Sequence, residues 1–488
     1  MTTGSDVRSL RMRRTKIVCT IGPASSSVEQ LDRLVAAGMD VARLNFSHGT
    51  HAEHAEVVAR IREGEVRWGR PVAILQDLQG PKIRLGTFGE GGGRRVDLEP
   101  GRPFALSRRP CVGTVERAYV APPETLREVK VGDQVLMDDG MIQLRVEETT
   151  PDEVRCRVVQ GGRISDHKGL SLPRVALPVS CLSDKDRDDL RFGIEQGVDF
   201  VAISFVRSAA DIAEVRRFLA EQGAGLPIVA KLERQEVMEN LPGILTTVDA
   251  VMVARGDLGV DVPLEDVPHL QKEIVRQARA AKIPVIVATQ MLESMVTHLR
   301  PTRAEVSDVA TAIFDGADAV MLSAESATGR YPAETVEMMA RIAARAEQAV
   351  MEQEPIRRRR SNAQVGFPEA VSDAAAMAAT ALHARAIVAF TQSGFSARLI
   401  SHQRPDVPII AFTPSVEVRR RLTLSWGVSS RLIRKFETTD DMIVEIERAL
   451  LGDGSVGIND VIVIISGAPM WVAGTTNLMK LHRIGERR

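Results

Sequence analysis

Eight short apolar runs, most of them followed by a helical pattern, constrain this chain more than any other feature. They are KIVCTI from Lys16, VARLNF from Val41, VAILQDL from Val72, VDFVAISFV from Val198, PIVAKLE from Pro227, AVMVARGD from Ala250, PVIVATQM from Pro284 and AVMLSAES from Ala319. Runs this short, rich in Val and Ile and closed by polar residues, read as strands buried on both faces. The stretches between them carry helix punctuation. SSSVEQLDRLVAAG has a Ser N-cap and a Gly C-cap, SAADIAEVRRFLAEQG and PTRAEVSDVATAIFDG are further helical patterns, and another helical stretch reads from His48. Eight alternating β and α units over about 250 residues predict an α/β chain built on a closed parallel (β/α)8 TIM barrel.

The rhythm stops at Gly80 and resumes near 199. The interruption, from Pro81 to Pro178, has a Gly91-Gly92-Gly93 turn and short alternating runs, among them VLMDDGMIQLRV with an Asp139-Gly140 hairpin signal. It reads as a small all-β domain inserted after the third strand, where it is placed to act as a lid. Past Glu352, the run Arg357 to Arg360 reads as a solvated linker rather than a nucleic-acid arm. From Pro368 helices alternate with AIVAFT, PIIAFT and VIVIISG, an open α/β domain. Its loop TQSGFSA (391–397) precedes a helix, and either a phosphate site or a plain N-cap turn fits it. The expected division is 1–80 and 179–350 for the barrel, 81–178 for the lid and 351–488 for the C-terminal domain.

A chain of 488 residues exceeds what one core organises, and 44% hydrophobic with 26% charged residues is ordinary for a globular protein. A formal net charge of −1 and only 4% aromatics give no reason to expect nucleic acid or an anionic membrane as partner. Cys19, Cys111, Cys156 and Cys181 form no CxxC pair, which argues against a zinc site or a disulfide framework. With no signal-like apolar core and no membrane-length run, a cytoplasmic protein is expected.

The chemistry concentrates where apolar runs end in charge. Lys231 and Glu233 close PIVAKLE, and Arg255 and Asp257 close AVMVARGD. Two residues apart on a strand, Lys231 and Glu233 point the same way. Charges there are expensive unless a partner balances them, so a buried ion pair and an active site compete as explanations. The polar residues at the strand ends are Arg43, Asn45, Ser47, Asp77, Arg84, Lys231, Glu233, Asp257, Thr289, Ser323 and Glu325. Glu233 and Asp257 make a sparse oxygen site of the kind magnesium takes while keeping waters. Arg43, Arg84 and Lys231 suit a transferring phosphoryl group, and the amides of Gly256 and Asp257 suit a substrate carboxylate. His48, His51 and His54 lack a carboxylate or Cys to complete a metal site. A Schiff-base aldolase would explain Lys231 but not the acids beside it.

KIVCTIGPAS, VARLNFSHGTHAEH, IVAKLERQE, VMVARGDLG, VATQMLESM, RPTRAE and MLSAES, in this order, closely resemble the pyruvate kinase family over nearly the whole chain. The resemblance implies transfer of the phosphoryl group of phosphoenolpyruvate to ADP, giving ATP and an enolate that is protonated to pyruvate, the last step of glycolysis. By motif position it implies that Arg43 and Lys231 hold the phosphoryl group and that Glu233 and Asp257 ligate Mg2+ or Mn2+. Thr289, with Gly256 and Asp257, lies at the substrate carboxylate. Arg84, Asn45, His48 and, from the lid, Lys168 serve the nucleotide. Lys231 stabilises the enolate, and Thr289, Ser323 and Glu325 serve the water network that delivers the proton. A silent regulator of the same fold is expected to have lost Arg43, Lys231, Glu233, Asp257 or Thr289, and none is lost. The family also implies a homotetramer, with a sugar-phosphate or nucleotide effector at Thr391, Ser393, Gly394 and Ser396.

Three departures stand out. Potassium-dependent members carry Thr-Lys-Gly-Pro-Glu after the third-strand Asp, where this chain has Leu78-Gln79-Gly80-Pro81-Lys82. The Lys82 ammonium is expected to replace K+, although Asn45, Ser47 and Asp77, which resemble the cation ligands, remain beside Leu78 in the pocket. Val237 stands where a small residue is usual, and local repacking is expected. Arg174 stands where a Gly is common in the lid segment KGLSLPRVALP.

Overall fold

The structure is a computed structural model that describes residues 13–138, 140–173, 175, 180–352, 366–436, 438–469 and 474–486. Arg174, Pro178 and the Arg357 to Arg360 run lie outside the described residues.

Eight strands close a parallel barrel: β1 Lys16–Ile21, β2 Val41–Asn45, β3 Ala73–Asp77, β4 Phe200–Ile203, β5 Ile228–Leu232, β6 Ala250–Ala254, β7 Val285–Ala288 and β8 Ala319–Leu322. Their bonded order is β1-β8-β7-β6-β5-β4-β3-β2. Every residue of β1, β3, β4, β6, β7 and β8 is buried, the pattern of strands covered on both faces. The polar candidate residues begin at the carboxyl ends of these runs, and several of them, Arg43, Asp77, Glu233 and Glu325 among them, stay buried.

The helix punctuation works as expected. Ser27 caps Val28–Ala37 by accepting from the Gln30 amide, and Thr302 with Glu305 forms a capping box on Arg303–Asp315. The helix anticipated from His48 starts instead at His51, because Thr50 and Glu53 form a capping box there. His48 stays in the preceding turn, its amide donating to the Asn45 carbonyl at 3.2 Å.

Between Arg84 and Ser171, strands form one seven-stranded sheet, and Val96–Leu98 pairs with Gly162–Ile164. Their apolar residues make a separate core, with Phe88, Phe104, Leu106, Val120 and Leu144 fully or almost fully buried. The Asp-Gly hairpin forms: Met137 faces Ile142 in antiparallel register, and Asp138 (φ 53°) and Gly140 (φ 85°) take left-handed conformations. Asp139 lies outside the described residues. Gly93, at φ 82°, donates its amide to Asp166 at 2.6 Å, which orders the three-glycine turn.

The C-terminal sheet has five strands, Val428–Leu432, Ile409–Thr413, Ala386–Phe390, Val461–Gly467 and Thr476–Arg483, in that spatial order with the last antiparallel. The first and last were not legible, because VSSRL is too polar and TNLMKLHR is a half-exposed edge strand. Alternate residues of Ala386–Phe390 feed two cores, Ile387 and Ala389 on one face, Val388 and Phe390 on the other. All four cysteines are free thiols. Among the described residues, no helix is long and apolar enough to cross a membrane.

Candidate active site

The expected residues fall in two compact units of the chain, one of residues 77–195 and 201–274, the other of the remainder. In the first, β5 ends in a cluster of charge. Lys231 Nζ lies 2.8 Å from Glu233 Oε1 and 3.4 Å from Asp77 Oδ1, and donates to Ser204 Oγ at 2.8 Å. Ser204 Oγ in turn donates a hydrogen bond to the Leu78 carbonyl at 2.9 Å. The alternation of side chains along a strand, which put Lys231 and Glu233 on one side, is borne out by that ion pair. Glu233 also accepts the Phe205 amide at 3.0 Å and is 2% exposed.

Burial pushes the Glu233 carboxyl above its usual range; Lys231 opposes the rise and the nearby charge of Asp257 adds to it. Asp257 stands in the first turn of the helix Arg255–Asp261, directly after β6, and is exposed. One buried and one open carboxylate form an all-oxygen donor pair that a hard divalent cation fits, since such an ion keeps several waters. A richer cage is not on offer: among the described residues no group of three or more His, Cys, Asp or Glu is poised to hold a metal.

Lys82 belongs to the same electrostatic neighbourhood. Its side chain reaches solvent, yet desolvation lowers its pKa and Lys231 and Arg84 add to the shift, while Asp257 and Glu233 oppose it. Arg84 needs a correction. It does not close a barrel strand but opens the first strand of the inserted sheet, Arg84–Leu85, and donates to the His167 carbonyl at 3.1 Å. The apolar run that ends at Leu78 concealed the change of sheet. Lys168 pairs with Asp138 at 2.7 Å within the inserted domain.

In the second unit, Arg43 of β2 is buried and donates to Thr20 Oγ1 at 2.8 Å, and Thr20 donates to the Leu322 carbonyl at 2.8 Å. Thr289, directly after β7, has φ 68°, and Gln290 has φ 54°. A β-branched residue in the left-handed region is strained by about 1–3 kcal/mol, and such strain gathers at functional sites. Two residues further, the Leu292 amide donates to Glu325 Oε1 at 3.1 Å, and the Ser323 amide donates to Glu325 Oε2 at 2.7 Å. Glu325 is fully buried, so its carboxylate ties the chain after β7 to the chain after β8. Asn45, at the end of β2, accepts the Ser47 amide with its side-chain oxygen at 3.2 Å.

The family model for the pyruvate kinase barrel domain matches residues 12–336, and that for the pyruvate kinase alpha/beta domain matches residues 369–482. The chain belongs to the pyruvate kinase family. It is 46% identical over 478 residues to pyruvate kinase 2 of Synechocystis sp., across 96% of this chain and 79% of that one. It is 44% identical to the pyruvate kinase of Mycobacterium tuberculosis, across 97% and 99% of the two chains. The crystal structure of a pyruvate kinase from Cryptosporidium parvum matches it with a TM-score of 0.89 at 34% identity, over 99% of this chain and 98% of that chain. Pyruvate kinases are phosphotransferases that convert phosphoenolpyruvate and ADP to pyruvate and ATP, generally with a divalent metal, and this is the activity of the chain.

Two polar residues of this pyruvate kinase chain escaped the sequence reading. Ser204 and Thr20 receive the hydrogen bonds of Lys231 and Arg43. Each interrupts or follows an apolar run at a strand's carboxyl end, the rule that found the others, but both are short enough to pass as core. The histidine triple has a structural explanation: His54 stacks on Phe46 at 4.2 Å between ring centroids and contacts the His48 carbonyl. In the 391–397 loop, Gly394 (φ 83°) precedes the helix Phe395–His402, while the Ser396 hydroxyl turns inward to Thr476.

Proposed function

We propose that the phosphoryl group of phosphoenolpyruvate is received by Lys231 and Arg43, with Glu233 and Asp257 holding Mg2+. The observation that carries this reading is the buried Lys231–Glu233 pair at 2.8 Å, with the charge of Asp257 acting on the same carboxyl and raising its pKa. A magnesium ion bound there supplies charge neutralisation to the transferring phosphoryl group. Lys231 stabilises the oxygen that becomes the enolate, and Ser204 fixes the direction of its ammonium. Arg43, aimed by Thr20, neutralises phosphoryl oxygens.

Thr289 and Ser323 border the water that protonates the enolate, and Gly256 and Asp257 offer amides to the substrate carboxylate. Glu325, both of whose oxygens accept backbone amides, serves this network by holding the two chain segments rather than by moving the proton. Arg84, Asn45, His48 and Lys168 serve ADP, the last two from exposed or lid positions.

Lys82 supplies the positive charge that K+ supplies in potassium-dependent relatives; the charges of Asp257 and Glu233, which favour its ammonium form against burial and Lys231, support this. A homotetramer in the cytoplasm, with an anionic effector at 391–397, completes the reading. The test is a coupled assay of phosphoenolpyruvate and ADP with Mg2+, with and without K+. Activity that falls less than tenfold when K+ is replaced by an inert cation is expected, and a larger fall removes the Lys82 role.

A further inference from the structure

Arg234, which follows Glu233 directly and is 5% exposed, is a buried charge with no part in that reaction. Its Nη2 donates to the Val175 carbonyl at 3.1 Å and lies 3.4 Å from the Leu172 carbonyl and from Glu236 Oε1. Its Nε faces Asp261 Oδ1 at 3.6 Å, and Asp261 Oδ2 accepts the Gln235 amide at 2.6 Å. A desolvated guanidinium persists only where partners compensate it. Here they come from separate segments. Leu172 and Val175 follow the last strand of the inserted sheet, Leu170–Ser171, on the way back to the barrel. Asp261 ends the helix whose first turn bears Asp257. Because its partners in the returning segment are backbone carbonyls, Arg234 reads the position of that segment and not its side chains.

We propose that Arg234, paired with Asp261, is a positioning residue that sets the separation of Glu233 and Asp257 and couples it to the returning segment of the inserted sheet. A single peptide unit joins Arg234 to Glu233, so a shift of one displaces the other. The inference rests on these two carboxylates binding the divalent cation. Coupling of this kind is reciprocal: if the segment's position alters cation affinity, the cation must alter the segment's freedom.

Mn2+ is the probe, used on the full-length protein. In the wild type, Mn2+ is expected to slow hydrogen exchange severalfold in peptides carrying Leu172 and Val175; unchanged exchange there overturns the proposal. Arg234→Lys keeps the charge but loses the planar fork. It is expected to weaken Mn2+ binding about 10–100-fold, as loss of outer-shell support does, and to abolish the Mn2+-induced protection. Undiminished affinity with protection intact overturns the proposal. Should that variant not fold, Asp261→Asn carries the same two readouts, with severalfold weaker Mn2+ binding expected. Glu233→Gln separates the two ideas. If it also leaves Mn2+ bound, the carboxylates are not the site and both fall; if it releases Mn2+ while the Arg234 and Asp261 variants bind normally, only the positioning role falls.

Discussion

Asp40 and Glu233 are both buried carboxylates beside lysines at barrel strand ends, yet their environments move them in opposite directions. Asp40 precedes β2, at the amino end of its strand. Burial works against its charge, but Arg13 and Arg70 at 2.8 Å, the Ile17 amide at 2.9 Å and Lys16 outweigh it and hold the carboxyl at about 2. Lys16, desolvated down to about 8, also donates to the Val428 carbonyl at 2.8 Å. Glu233 follows β5, at the carboxyl end. It has one lysine at contact distance, a second acid loading it with charge, and a carboxyl raised by burial. At the first site protein groups complete the charge balance. At the second, Lys231 is opposed by burial and by the charge of Asp257, and the carboxyl stays above its usual range. Parallel barrels keep stability at one end of their strands and chemistry at the other, and these two acids express that division as opposite pKa shifts.

The contrast is most exposed to failure through the acids themselves. Glu233→Gln is expected to lower kcat about 10³-fold, the scale of losing a main electrostatic group, with the thermal midpoint unchanged or raised. A variant within tenfold of wild type in the coupled assay breaks the comparison. Asp40→Asn is expected to do the reverse, costing about 3–5 kcal/mol in urea unfolding because Arg13 and Arg70 lose their buried partner, with kcat within twofold while the protein is folded.

A sharper test lies in charge supply. Lys82→Glu recreates the residue of potassium-dependent relatives, and activity is expected to become K+-dependent by about tenfold. Titration gives the finest distinction. Asp40, at 3.8 when unfolded and about 2 when folded, contributes about 2 kcal/mol that is present above pH 3.8 and lost as pH falls through 2. Glu233 runs the other way: its share of stability is full below its unfolded 4.5 and declines as pH rises through its raised folded value. With Glu233 as a ligand, as proposed, Mn2+ affinity is expected to weaken on acidification at a pH above 4.5, seen by titration of Mn2+ across that range.

Much of this was legible in the chain. The strand count followed from eight apolar runs because strands covered on both faces must be continuously apolar, and Lys231, Glu233 and Asp257 ended those runs visibly. Arg84 was misplaced because the barrel strand ending at Asp77 and the first strand of the insertion, which starts at Arg84, are separated by only a few residues. Ser204 and Thr20 were missed because a single hydroxyl in an apolar run costs little and leaves no pattern. Arg234 was read as part of a motif, and nothing local shows that its partners are carbonyls some sixty residues earlier.

The sequence by itself determined the barrel, the insertion, the separate C-terminal sheet and the identity of the charged groups at the strand ends, since periodicity and end-capping are local properties. Only the tertiary structure decided which carboxyl is raised and which is lowered, where the Thr289 backbone is strained, and that Glu325 spends both oxygens on backbone amides. Those outcomes depend on desolvation and on distances between residues far apart in the chain, which no local pattern encodes.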